Sequence, residues 1–141
     1  MHPYYATAQD IPDVERLFRE CDLPVEGIRE HIDHYLVSRD SGGVIGCAGL
    51  EHYGKVGFLR GIAIARRARM AGLSDFILSI LVADARQHGV ESLVALSDGV
   101  ASYFEKIGFT SADASELPPD LRRSLARTSP RVALKIMQVT L

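Results

Sequence analysis

Four arginines fall within ten residues of this chain: Arg60, Arg66, Arg67 and Arg69. Met70, Ala71, Gly72, Leu73 and Ser74 follow directly. A guanidinium fork matches the oxygens of phosphate or carboxylate. A glycine lets an anion come close to the main chain. A helix start adds unpaired N–H groups and the positive end of a dipole. The stretch therefore has the chemistry of a phosphate site. The same junction also serves many proteins as plain structure with solvated arginines. It is not the phosphate loop of nucleotide triphosphatases, because no Gly-Lys-Ser/Thr ending is present. No G-x-G-x-x-G dinucleotide fingerprint is present either.

Other reactive types are sparser. Glu51 reads as a carboxylate at a strand end. Arg60 sits inside an apolar strand, where an unpaired charge is costly, so it needs a carboxylate partner or access to a cleft. His31 and His34 are three apart but have no sulfur or acidic partner at metal-binding spacing, so no metal site is expected. Cys21 and Cys47 form no CxxC pair and no disulfide framework.

The elements that must position these residues follow from periodicity and punctuation. Tyr4 to Thr7 predicts a strand, and Asp10 caps a helix with Pro12 in its first turn. Val14, Leu17, Phe18 and Cys21 fall on one face of that helix. Gly27 to Tyr35 predicts a short second helix. Residues 35–39 and 44–51 predict a hairpin around Asp40-Ser41-Gly42-Gly43, and 52–55 a turn. Val56 to Ile64 predicts a long strand. Gly57 and Gly61 inside it suggest a bulge or a close approach by something else. After the basic loop, residues 73–88 predict a long helix with Leu73, Phe76, Ile77, Ile80, Leu81 and Ala85 on one face. A strand at 90–96, a helix at 100–106, a short strand after Phe109, a helix at 119–127 and a final strand at 131–139 complete the order. The last strand reads as an edge open to pairing with a second copy.

The whole chain of 141 residues predicts one domain over residues 1–141. Its 47% apolar and 24% charged composition is that of a globular protein, neither disordered nor fibrous. Apolar runs such as Ile80 to Ala83 stop far short of the ~18 residues of a membrane span. The start of the chain lacks the pattern of a signal peptide, so a cytoplasmic location is expected. A net charge of −2 argues against a nucleic-acid partner.

Arg69-Met70-Ala71-Gly72-Leu73-Ser74 resembles the Q/R-x-x-G-x-G/A pyrophosphate loop of the GNAT superfamily of N-acetyltransferases. It lies after the fourth strand and before the long helix, as in that family. Residues 98–109, Asp98-Gly99-Val100-Ala101-Ser102-Tyr103-Phe104-Glu105-Lys106-Ile107-Gly108-Phe109, resemble the family's N-x-x-A-x-x-F-Y-x-K-x-G-F segment. The resemblance spans essentially the whole chain. It implies an α/β (α+β) fold with a mixed central sheet of six to seven strands flanked by helices. Leu23-Pro24, the Gly46 to Gly54 segment, Leu59-Arg60 and Leu117-Pro118-Pro119 resemble, more finely, small N-acetyltransferases associated with arsenic resistance.

The resemblance implies an enzyme that moves an acetyl group from acetyl-coenzyme A to the amine of a small, amino-acid-like acceptor. The pyrophosphate would lie on residues 69–74, Arg69, Met70, Ala71, Gly72, Leu73 and Ser74. The pantetheine arm would pair with Ile62, Ala63 and Ile64 where the fourth and fifth strands splay. Glu51 would be base or amine contact, and Arg60 would take the acceptor's carboxylate. Arg66 and Arg67 would be rim charges. Three departures stand out. Ser74 replaces Gly or Ala, Asp98 replaces Asn, and Phe104 stands where the family has its tyrosine acid. Tyr103 is the neighbouring candidate acid, although adjacent helical residues point about 100° apart. The departures also leave room for an acetyl-coenzyme A-binding module with weak or lost catalysis.

Overall fold

The computed structural model describes residues 3–69, 72–97, 102–127 and 135–141. Among these residues seven strands form one sheet: β1 (Tyr4–Tyr5), β2 (Tyr35–Asp40), β3 (Gly43–Tyr53), β4 (Val56–Ile64), β5 (Ser92–Ser97), β6 (Thr110–Ser111) and β7 (Lys135–Thr140). Their spatial order is β1-β2-β3-β4-β5-β7-β6. Only β4 and β5 run parallel; the other neighbours are antiparallel. The helices are α1 (Ile11–Glu20), α2 (Leu73–Gln87), α3 (Ser102–Lys106) and α4 (Pro119–Arg127). This is the mixed, helix-flanked sheet that the resemblance implies.

The two sheet faces carry different cores, because successive strand residues point to opposite sides. On one side Val14, Leu17 and Phe18 of α1 pack on Tyr35, Val37, Cys47 and Ala63. Leu121 of α4 covers Phe58 and Val94 farther along that side. On the other side Ile77, Leu81 and Ala85 of α2 bury Leu36, Ala48, Leu50, Leu59 and Leu93. The 3–4 spacing of these helical residues is what lays an apolar stripe on the sheet. Phe76, expected on the same face, is instead 48% exposed, because it falls off the Ile77-Leu81-Ala85 stripe.

Several expectations need correction. Residues 27–34 form turns and one 3-10 turn (Ile32–His34), not a second helix. Gly27 takes φ +87, which leaves the right-handed helical path at the start. β1 stops at Tyr5, and β3 runs on through His52 and Tyr53 to a turn at Gly54. The Asp10 carboxylate precedes α1 but accepts from the Thr7 N–H, Tyr4 and Arg39 rather than capping the helix. The last strand is not an edge. β7 lies between β5 and β6, and Met137 and Gln138 are paired on both sides. Val100, Ala101 and residues 131–134, expected in the 100–106 helix and the last strand, lie outside the described residues.

Candidate active site

The pairing of β4 changes partway along its length. Against β3 the register runs Gly49↔Gly61 and then Leu50↔Leu59, so Arg60 is the extra residue of a bulge. Against β5, pairing covers Val56↔Ser92 to Leu59↔Ala95 and stops there. Both strands continue, β4 to Ile64 and β5 to Ser97. They therefore open into a V directly at the bulge. On the β3 side Ile62, Ala63 and Ile64 remain paired with Ala48, Cys47 and Gly46. Their opposite backbone edge faces the V, a ready partner for an extended chain.

β4 runs through a 3-10 turn (Arg66–Ala68) into α2. Gly72 caps α2 in the left-handed region, φ +70, with open space where a Cβ would stand. The Phe76 N–H reaches back to the Gly72 carbonyl and closes the first turn. The amides at that end point outward along the helix axis, where an anion gains from both hydrogen bonds and the dipole. Arg66 and Arg69 are exposed beside it. Arg69 Nε donates to the Ile64 carbonyl at 3.2 Å, which ties the loop to the end of β4. A groove of about 280 Å³ runs between α1 and this loop, lined by Leu17, Cys21, Ile64, Arg66 and Arg69 among others. Arg67 is spoken for by Asp40, at 2.8 and 3.1 Å. Leu73 and Ser74 are half-buried in the first turn of α2. Met70 and Ala71, expected in the same loop, lie outside the described residues.

The structure brings Glu51 and Arg60 together. The bulge turns the Arg60 side chain onto the face that already carries Glu51 and Phe58, which are paired across β3 and β4. Arg60 Nε donates to Glu51 Oε2 at 2.7 Å and Nη2 to Oε1 at 2.9 Å. The Glu51 side chain is 0% exposed and that of Arg60 3%. Tyr53 Oη donates to Glu51 Oε1 at 2.8 Å, and His31 Nε2 stands 3.7 Å from the same oxygen. Arg60 Nη2 also donates to Ser124 Oγ of α4 at 3.3 Å, and the guanidinium lies over the Phe58 ring. Burial alone would lower the Arg60 pKa, but the Glu51 carboxylate outweighs it and holds it above its ordinary value. Burial, reinforced by Glu51, raises the Tyr53 phenol. Glu51 is thus a buried member of a bidentate pair rather than a solvated strand-end group. As placed, Glu51 and Arg60 bind each other.

Beside this pair lies Tyr35. Its ring crosses flat over Gly49, where a Cβ would come within 2.3 Å of ring carbons. Its hydroxyl is buried beside the Arg60 guanidinium and makes no well-aligned hydrogen bond among the described residues. Burial, with Glu51 nearby, pushes that phenol well up. Nothing in the sequence marked Tyr35, Tyr53 or Ser124 as neighbours of the pair. The only available signal was Gly49 inside a strand, which predicts a close approach.

The aromatic segment of α3 is partly visible. Phe104 is half-buried and packs against Phe109, ring centroids 5.2 Å apart. Tyr103 lies on α3, but its side chain and all of Asp98 lie outside the described residues. Cys47 is fully buried, and burial holds its thiol in the protonated form. Cys21 is half-buried.

Comparison with known proteins agrees with this geometry. Residues 2–109 match the acetyltransferase (GNAT) family. An amino-acid acetyltransferase of Neisseria meningitidis is 27% identical over 127 residues, covering 84% of this chain and 29% of the relative. An uncharacterized N-acetyltransferase of Chlorobaculum tepidum is 26% identical over 77% of this chain and 70% of its own length. N-acetylglutamate synthase from Neisseria gonorrhoeae, solved with coenzyme A and N-acetyl-glutamate, superposes with a TM-score of 0.85 at 26% identity. That match covers 99% of this chain and 35% of the synthase, so this chain spans about a third of such relatives. With the match running from the first strands past the V and the α2 loop, the chain belongs to the acetyltransferase (GNAT) family.

Proposed function

We propose that the chain is an acetyl-coenzyme A-dependent N-acetyltransferase acting on the amine of a small, amino-acid-like acceptor. The observation that carries this reading is the V between β4 and β5, which opens at Leu59 and leads into the Gly72 turn of α2. The pantetheine arm pairs with the open edge of Ile62, Ala63 and Ile64. The pyrophosphate lies on Arg69, Met70, Ala71, Gly72, Leu73 and Ser74. An N–H of β4 polarises the thioester carbonyl, as an oxyanion site does. The neutral amine attacks, the C–S bond breaks, and the thiolate takes a proton from water or from Tyr103.

The acceptor lies against the face that carries Arg60, between the 24–34 turns and α4. Glu51 acts there by fixing the guanidinium rather than as a free base. Arg60, 3% exposed and held by Glu51, meets an acceptor carboxylate only where the acceptor opens that pair. The amino-acid acetyltransferases among the relatives support this acceptor class. A cytoplasmic location completes the reading, with no nucleic acid, membrane or metal partner; a homodimer would form on a surface other than the β7 edge. No helix among the described residues is long and apolar enough to cross a membrane.

A second reading, a coenzyme A-binding module with weak catalysis, rests on Phe104, whose ring packs on Phe109 where the family's acid would stand. One experiment separates the two. Thiol release from acetyl-coenzyme A is followed with a panel of amino acids and their arsenical and phosphorus-containing mimics. Turnover of one class supports the enzyme. Thermal stabilisation by coenzyme A with no turnover supports the module, and no stabilisation removes both.

A further inference from the structure

Four of the five histidines line up, although they come from separate parts of the chain. His31 and His34 belong to the turns before β2, His52 to β3, and His88 caps α2. Successive ring centroids are 6.4 Å (His31–His34), 5.1 Å (His34–His52) and 6.0 Å (His52–His88). The row begins at the buried pair, with His31 Nε2 3.7 Å from Glu51 Oε1 and its ring beside Tyr53. It ends in solvent. His88 is exposed, its Nδ1 donates to the Asp84 carbonyl at 2.8 Å, and the Asp84 carboxylate is 3.5 Å away. Among the described residues no group of three histidine, cysteine, aspartate or glutamate side chains could hold a metal ion, so the row is not a metal cluster.

Acetyl transfer to an ammonium must dispose of a proton. The N–C bond forms, the C–S bond breaks, and the ammonium nitrogen gives up two protons. The thiolate takes one, so one leaves the protein in each turnover. Glu51 is poorly placed to carry it, since Arg60 and Tyr53 already occupy its oxygens. Resting on the acetyltransferase reading, we infer that His31 takes the proton released by the acceptor amine and that, while the acceptor covers His31, His34, His52 and His88 pass the proton to solvent.

Imidazole is the side chain that gains and loses protons near neutral pH. Centroid separations of 5.1–6.4 Å leave room for one bridging water between neighbouring rings. The charged groups facing the row suit the direction of travel. At His31 stand the Glu51 carboxylate, the Tyr53 hydroxyl and, beyond Glu51, the Arg60 guanidinium. Asp33 is 3.9 Å from His34, and Asp84 faces His88. Burial, with the charges of His34 and His88, holds the His52 pKa below that of an ordinary imidazole. A proton therefore does not rest in the middle of the row.

The test uses the whole chain, the acceptor that turns over best, and thiol release in dilute and concentrated buffer. His31→Asn should lower kcat/KM about 100-fold and flatten its pH dependence, with coenzyme A affinity unchanged. His52→Asn should lower kcat several-fold in dilute buffer, and tens of millimolar imidazole should restore it. Circular dichroism checks that each variant folds, and His34→Asn replaces His52→Asn if it does not. Wild-type kcat in His52→Asn and His34→Asn in dilute buffer overturns the relay alone. Wild-type kcat/KM in His31→Asn overturns its role as base. A wild-type protein that binds coenzyme A but acetylates no amine removes the transfer reading, and the relay with it.

Discussion

Replacing Arg60 with methionine leaves Glu51 buried and without its cation. The carboxylate is 0% exposed and receives two hydrogen bonds from Arg60, at 2.7 and 2.9 Å. Tyr53 supplies one more, and His31 at 3.7 Å is too long to replace a guanidinium. Removing one partner of a buried pair costs about 3–5 kcal/mol, because the remaining charge keeps its desolvation penalty. For a domain of this size that is a fall of roughly 10–17 °C in Tm. Replacing both partners, Glu51→Leu with Arg60→Met, removes the charge as well as the bond. The double variant should recover most of the loss, since apolar substitutes for buried pairs are often neutral or stabilising. Urea unfolding followed by circular dichroism, without coenzyme A, gives all three free energies and the coupling between the sites. A loss below about 1 kcal/mol in Arg60→Met would show that water or another cation reaches Glu51. The enclosed pair would then be wrong.

Three smaller predictions follow from other contacts. Gly49→Ala places a methyl within 2.3 Å of the Tyr35 ring and should destabilise by about 1–3 kcal/mol in the same urea assay; an unchanged midpoint would mean that Tyr35 does not lie over β3. The Asp10 pKa is depressed: burial works to raise it, but hydrogen bonds from Arg39, Thr7 and Tyr4 outweigh burial. That contribution is complete above the unfolded carboxylate pKa and is lost as pH falls through the lower folded value. Asp10→Asn should therefore flatten the acid limb of Tm below about pH 4; an equally steep limb would contradict it. With a chromogenic disulfide under native conditions, half-buried Cys21 should react well before Cys47, whose thiol burial keeps protonated. Two equal rates would contradict the burial of Cys47.

The fold was legible where one local signal was enough. Residues 119–127 matched α4 to the residue, and the apolar run Val56 to Ile64 matched β4, because turn residues bound each of them. The 27–34 segment misled because Ile28 and Ile32 mimic a helical spacing, while the positive φ of Gly27 is invisible in the sequence. The place of β7 inside the sheet depends on which strand reaches it from the side, and no local pattern records that. The loop before α2 was legible because its arginines and Gly72 are contiguous. The acceptor face was not. Glu51 and Arg60 meet only because a bulge turns Arg60 onto the same face, and the four histidines come from three separate segments of the chain. Such groupings are products of register, not of spacing along the chain.

The central claim is that the Gly72 turn receives the pyrophosphate of coenzyme A. Gly72→Asp tests it with little damage to the fold, because aspartate tolerates the left-handed region better than most residues and the position is open. Calorimetric titration of coenzyme A into the wild-type and variant proteins compares the two Kd values directly. The new carboxylate stands where the phosphates are expected, so the Kd should rise at least about tenfold while Tm without ligand stays close to wild type. An unchanged Kd in a folded Gly72→Asp variant would place the pyrophosphate elsewhere and contradict the account.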